Sequence, residues 1–447
     1  MVAARSHRTA LAFSLLGALL PAACNRGGSQ SRRVVGGLAD FGALATDGAR
    51  QRFCAADQLS GRLLVIDPAD GDTLFDLQSI GGSVGGLLHD HCSDSCYTAV
   101  SSRNRIDVFD PSLYFRRSTI RLRASPFAMA PGAGGRLLVV TSAGLIDLDP
   151  KTLTQNTLLP TVERDALLVT DRESRFACLV ETLNGAAVVN RFDLANLAAP
   201  PITSATGTMP GRVIAAALDF DGELLYVATD KAPGIHRLDA ETLAQFDTID
   251  VGDGLSGMAL SSTGLRLFYS TTGPLVESVI VEPRLPGPSV TLPDVPRERG
   301  VALSATNQEL AVWSGDGSIT TNGIFEFVIR APSILRQGEA GTLTLEGRPN
   351  ALYFLFLSGG PAPLLLDKPS KPEPRLLELS LVLGYALVAQ GQLDGAGRAT
   401  VEDIVPPGLS TEAIDSVWQA AQTDAVFPPR YELSNAMFIR FLGPDCP

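Results

Sequence analysis

The chain has 447 residues, 45% of them hydrophobic and 19% charged, and a formal charge of −12 at pH 7. That hydrophobic fraction supports packed cores and excludes an intrinsically disordered chain. The acidic balance, with no basic stripe, excludes a protein built to neutralise nucleic-acid phosphates. Its 43 glycines and 30 prolines follow no period, so they punctuate short strands rather than mark a low-complexity tract.

The N-terminal stretch MVAARSHR carries Arg5 and Arg8 and runs into TALAFSLLGALL. A basic flank followed by about a dozen apolar residues is the pattern of an export signal, too short to span a bilayer. The run ends in LPAAC, and small residues before a cysteine resemble the lipobox of bacterial lipoproteins, with Pro21 where leucine is usual. The resemblance implies that residues 1–23 are a signal peptide, that Cys24 is lipidated, and that residues 24–33 are a tether. Ordinary cleavage and secretion is the alternative. The expected location is the bacterial cell envelope, on a periplasmic or outer-membrane face, anchored by lipid. There thiols are open to oxidation, so close cysteine pairs are read as disulfides before metal sites.

From Gly42 one pattern recurs: three small or apolar residues, a polar turn, then an apolar strand. The copies are GALATDGARQRFCA (Gly42), GLLHDHCSDSCYTA (Gly86), FAMAPGAGGRLLVV (Phe127), ALLVTDRESRFACL (Ala166), AAALDFDGELLYVA (Ala215), GMALSSTGLRLFYS (Gly257) and GVALSATNQELAVW (Gly300), spaced 39 to 49 residues apart. A period near 40 with strands in every unit predicts a β-propeller with four strands per repeat. Third strands end in aspartate turns at Asp67, Asp110, Asp149, Asp193 and Asp239. The unit LLYVATDKAPGIHRLDAETLAQFDTIDVGDGLSGMALSSTG resembles the YVTN-type repeat of extracytoplasmic seven-bladed propellers. The repeat stops after GIFEFVIR, while RRVVGGLA near the N-terminus has no blade of its own. Joining the two ends completes one blade and removes free sheet edges. The expected fold is all-β: a seven-bladed β-propeller over residues 34–330, closed by the N-terminal strands.

Residues 331–447 lose the period. APSILRQGEAG reads as a linker, followed by short β-rich runs and a hairpin signal at Asp394–Gly395. A small C-terminal β-sandwich is expected. The run from Gly341 to LSNA (Leu433 to Ala436) resembles a β-domain that recurs in exported bacterial proteins, and it reads as a packing or stalk module.

Candidate chemistry is sparse. GDGLSG (Gly252 to Gly257) fits a dinucleotide-loop spacing, but a strand follows where a pyrophosphate site needs a helix. DFDGE (Asp219 to Glu223) and DPADGD (Asp67 to Asp72) lack the ligand ladder of a calcium loop and read as turns. No G-x-S-x-G elbow occurs, and beyond the signal only His89, His91 and His236 could serve as a histidine base. No cofactor is expected. Loops entering the inner strands carry Arg123, Arg164, Arg212, Arg297 and Arg299, which read either as an anion site at a channel mouth or as scattered solvated charges.

The densest cluster is HDHCSDSC, residues 89–96. Cys92 and Cys96 flank a hairpin tip and are read as a disulfide. A metal site using His89 and His91 is the alternative, and it needs further ligands. His89 occupies a slot that the other copies fill with Ala45, Ala130, Val169, Leu218, Leu260 and Leu303. Cys54 and Cys178 are read as buried thiols, and Cys446 has no cysteine partner in its own domain. The functional expectation is a membrane-anchored, non-enzymatic binding or scaffold platform for a protein or anionic ligand. The alternative is a lactonase-like, metal-dependent or redox-cofactor propeller enzyme with its site at the channel mouth.

Overall fold

The computed structural model describes residues 33–35 and 41–442, except 68–71, 78–79, 91–92, 206, 220, 253, 272–274, 282–284, 287–289, 292–297, 305–306, 308, 315–317, 324–327, 333, 337–340, 360, 366–375, 380–384, 403, 405–413 and 424–430. The signal peptide, Cys24, His91, Cys92, Arg297 and Cys446 therefore lie outside the described residues.

Strand β1 is Arg33–Val35. β2 (Phe41–Asp47), β3 (Arg52–Asp57), β4 (Leu63–Ile66) and β5 (Thr73–Leu77) form the first antiparallel sheet, in that spatial order. β6 (Val84–Asp90), β7 (Ser95–Val100), β8 (Arg105–Phe109) and β9 (Arg116–Arg121) form the second on the same plan. Among the described residues five more such sheets follow, with inner strands Pro126–Pro131, Leu167–Thr170, Val213–Leu218, Gly257–Leu260 and Glu298–Leu303. Each inner strand contains or abuts one of the seven repeat anchors.

The second strands explain why these runs are apolar without alternation. All six residues of β7 are buried, because side chains on both of its faces meet a neighbouring sheet. Tyr97 and Ala99 face the third sheet, while Cys96 and Val100 face the first. The ring closes where Phe53, Ala55, Leu64 and Ile66 of the first sheet pack on Ala311 and Ile319 of the last. β1 supplies the outermost strand of that last sheet, pairing Arg33 with Thr321 and Val35 with Ile319. The two ends of the repeat region thus share one sheet, as expected.

GIFEFVIR departs from expectation. Its last residues, Val328–Arg330, pair with Leu343–Glu346 instead of joining the ring. The outer position is already taken by β1, and Ile329 finds a fully buried place in the C-terminal core. The expected linker also contains structure: Ile334–Arg336 runs parallel to Met437–Leu442, with Leu335 buried. Asp394–Gly395 sits in a tight turn, where the Asp394 carboxylate accepts the N–H groups of Ala396 and Arg398. The flanking strands belong to different sheets, so this turn crosses between layers rather than closing a hairpin. A three-stranded and a six-stranded sheet share one C-terminal core that includes Leu343, Leu345, Leu355, Trp418 and Phe441.

Three of the aspartate turns form as read. Asp110, Asp149 and Asp239 each accept backbone N–H groups two and three residues on, so the side chain substitutes for a strand partner.

Candidate functional site

The turns joining first to second strands gather at one end of the ring, here termed the hairpin face. A cavity of about 460 Å³ opens there, lined by Leu88, Met129, Leu168, Val169, Leu218 and Leu260, with Arg172, Asp219 and Ser261 among its polar lining. Five sheets contribute to it, which places it on the ring axis. Burial and the neighbouring Arg440 push the Arg172 guanidinium down to about 10.

The C-terminal region is fastened to this same face. Asn307, in the hairpin turn of the seventh sheet, donates from Nδ2 to Ser262 Oγ (2.8 Å) and to the Ala436 carbonyl (2.9 Å). Its Oδ1 accepts the Ser262 N–H at 2.8 Å, so one amide joins the sixth and seventh sheets to the C-terminal strands. Arg440 reaches the hairpin turn of the fourth sheet and donates to the Arg172 carbonyl at 3.1 Å. Arg330 pairs with buried Glu309 of the seventh sheet and, at 3.0 Å, with Glu346. LSNA is part of this joint: Asn435 accepts the Ile329 N–H (2.8 Å) and donates to the Ile329 carbonyl (3.0 Å), imitating a strand partner. The sequence marked LSNA only as a resemblance, and its role becomes visible once Ala436 is seen against Asn307.

His89 lies on the hairpin face where the first and second sheets meet. Its ring is almost fully buried, with Nε2 3.6 Å from Asp47 Oδ1 and 3.7 Å from Asp94 Oδ1. Arg50 ties the two carboxylates together, reaching Asp47 Oδ2 at 3.2 Å and both oxygens of Asp94 at 2.9 and 2.7 Å. His89 and Arg50 hold the Asp94 carboxyl well below the usual carboxylate range. A polar side chain in the otherwise aliphatic slot is thus explained by buried Asp47 on the adjacent sheet. His91 lies outside the described residues, and among those described no group of three His, Cys, Asp or Glu side chains has metal-site geometry.

The expected Cys92–Cys96 disulfide is corrected. Cys96 is a free, buried thiol. It pairs with His89 as the second residue of β7, so its side chain stands perpendicular to the sheet and enters the seam with the first sheet. There it shares a cluster with Cys54, whose thiol is driven well above its ordinary pKa by Cys96 and by burial. Cys178 is also buried and free, and desolvation pushes it up to about 12. A repeat alignment without gaps hid the pairing of Cys54 with Cys96. Cys54 and Cys96 both pair with the fourth residue of their copies, Ala45 and His89.

Three of the five arginine positions have described side chains. Arg123, Arg164 and Arg212 are exposed on loops entering inner strands, at the end opposite the hairpin face. Arg164 lies 5.0 Å over the Phe127 ring, and the backbone N–H of Arg212 donates to Asp230 Oδ1. Arg297 is outside the described residues, and only the backbone of Arg299 is described. In DFDGE the Asp219 carboxylate accepts the N–H groups of Glu223 and Leu224, a turn-forming role. GDGLSG leads directly into the strand Gly257–Leu260. DPADGD falls largely outside the described residues. His236 is buried on a third strand next to Thr229, and burial lowers its pKa.

No family model and no curated protein matches this chain. Solved structures do. The β-propeller domain of Cps50 (Swd1) from Myceliophteria thermophila superposes with a TM-score of 0.54 at 13% identity, covering 66% of this chain and 99% of that one. A chain of the mitotic checkpoint complex gives a TM-score of 0.56 at 14% identity, covering 68% and 94%. At such identities the likeness concerns fold alone. About two thirds of this chain folds as a WD40-like β-propeller.

Proposed function

We propose that the protein is an exported, Cys24-acylated envelope lipoprotein whose propeller is seven-bladed, of YVTN type, and acts as a non-enzymatic binding platform. The C-terminal β-sandwich is a packing module that stiffens the hairpin face. The observation that carries this reading is the axial cavity: mostly apolar walls with a few polar groups suit the docking of a partner's side chain. The charged groups at the seam of the first two sheets support the same reading. Asp47, Arg50, Asp94 and His89 engage one another, which suits a structural role better than proton transfer.

A photo-crosslinking residue at Thr170, which lines the cavity, should give a discrete protein adduct in the cell envelope. The same probe at exposed Leu153 should not. Filling the cavity with Ala217→Trp should remove the adduct. Turnover of a lactone by the purified chain, abolished by Ala217→Trp, would replace this reading with the enzyme. Cys24→Ser should move the chain from membrane to soluble fractions and abolish incorporation of labelled palmitate.

A further inference from the structure

Cys54 and Cys96 sit on opposite sides of one seam. Each pairs with an inner-strand residue close to the hairpin face, Ala45 and His89 respectively. Both belong to an apolar cluster made of the first two sheets, with Ala56, Val65, Leu87 and Phe109. Cys54 therefore faces the second sheet and Cys96 faces the first, within one cluster. Cys178 occupies a similar position in the fourth sheet, but its seam partners include Leu225 and Val227 rather than a cysteine. Two cysteines in register across a seam are a dithiol, whereas one cysteine among aliphatic side chains is a small hydrophobic group.

We propose that Cys54 and Cys96 form a disulfide that staples the first two sheets of the ring, made by exchange with an external disulfide while the chain folds. One cysteine thiolate attacks a sulfur of the oxidant, a small-molecule or protein disulfide, and releases one oxidant thiolate. The second cysteine thiolate then attacks the mixed disulfide and releases the other. Two S–H bonds and the oxidant's S–S bond break, and one protein S–S bond forms. The electron pair and both protons leave with the oxidant, which becomes two thiols.

The timing follows from burial. Relative exposure is 2% for Cys54 and 1% for Cys96, so an oxidant has no path to either sulfur in the closed ring. Burial also disfavours the thiolate that must attack. Exchange therefore precedes closure of the seam, or waits for it to open.

The test is refolding of the full chain from urea in a mixed glutathione buffer, followed by iodoacetamide and peptide mass spectrometry. The expected product joins the peptides of Cys54 and Cys96 and is lighter than the reduced pair by two hydrogens, while Cys178 is alkylated. Cys92→Ser should leave this product unchanged. Cys54→Ala should abolish it and leave Cys96 alkylated. The oxidised chain should melt on the order of 5 °C above Cys54→Ala/Cys96→Ala. Native reduced protein in the same buffer should cross-link at least about tenfold more slowly than the refolding chain. Recovery of Cys54 and Cys96 both alkylated, or of Cys96 joined to Cys92, overturns the proposal. Equal rates for native and refolding chains overturn its timing.

Discussion

Arg50→Met isolates the electrostatic node between the first two sheets. Asp47 is fully buried, and the substitution removes its guanidinium partner at 3.2 Å. It leaves the backbone N–H of residue 50 at 3.1 Å and the His89 ring at 3.6 Å. Stranding a buried charge costs about 3–5 kcal/mol, and the surviving donors place this site near the lower end, about 3 kcal/mol. Asp94 is 38% exposed, so its pairing with Arg50 is screened, and Asp94→Ala should cost no more than about 1 kcal/mol. Removing the stranded charge as well, in Arg50→Met/Asp47→Leu, should restore more than half of the Arg50→Met loss. The assay is urea unfolding followed by Trp313 fluorescence in a Trp418→Phe background. Trp313 packs with Phe53 of the first sheet, and the chain has only these two tryptophans. A cost below about 1 kcal/mol for Arg50→Met, or a larger one for Asp94→Ala, would refute Asp47 as the buried charge that Arg50 compensates.

Asp94 also gives a pH signature. Its folded pKa is depressed by His89 and Arg50, so its stabilisation is complete above the unfolded value near 3.9 and fades as pH falls towards the folded one. The stability gap between wild type and Asp94→Asn, from urea midpoints, should therefore shrink as pH falls below about 4. Asn307→Ala removes the amide that joins two ring sheets to Ala436. It should cost about 1–3 kcal/mol and expose the segment around Ile334–Arg336 to limited proteolysis before the ring is cut. Asn435→Leu orphans the buried N–H and carbonyl of Ile329, and a loss of about 2–3 kcal/mol should appear in the transition reported by Trp418 but not in that of Trp313.

The ring was legible because its signals are local and repeated. Small residues, a polar turn and an apolar strand recur with every sheet, and each aspartate turn is specified within four residues. The seam chemistry was not legible for a physical reason. Whether a side chain enters the seam ahead or the seam behind depends on where the inner strand shifts register, and that place moves between copies. The shift falls at the anchor Gly42 in the first sheet, between Phe41 and Ala43, but one residue before the anchor Gly86 in the second, between Val84 and Gly86. A one-residue change of register reverses the face, and an alignment by residue type does not count it. His89 was recognisable as out of place, yet its explanation, Asp47, lies 42 positions earlier on another sheet. The joint to the C-terminal region was hidden likewise, because Asn307 and Ala436 are 129 residues apart. Asn435 holds Ile329 from 106 residues away. APSILRQGEAG reads as a linker because its short apolar run is too brief to announce a strand without the partner Met437–Leu442.

The clasp formed by β1 has a consequence for the order of biosynthesis. Arg33 is made early, yet its partner Thr321 lies 288 positions downstream. During translation the N-terminal strand is available long before the edge that receives it exists. Closure of so distant a pairing is expected to be late and slow. Until then the growing sheets present an unpaired edge at the advancing end, open to pairing with another copy. The first two sheets, whose seam holds Cys54 and Cys96, are complete by Arg121. They can pack together while most of the ring is still unmade, so the chain's first lasting tertiary contact and its final one both involve its N-terminal residues.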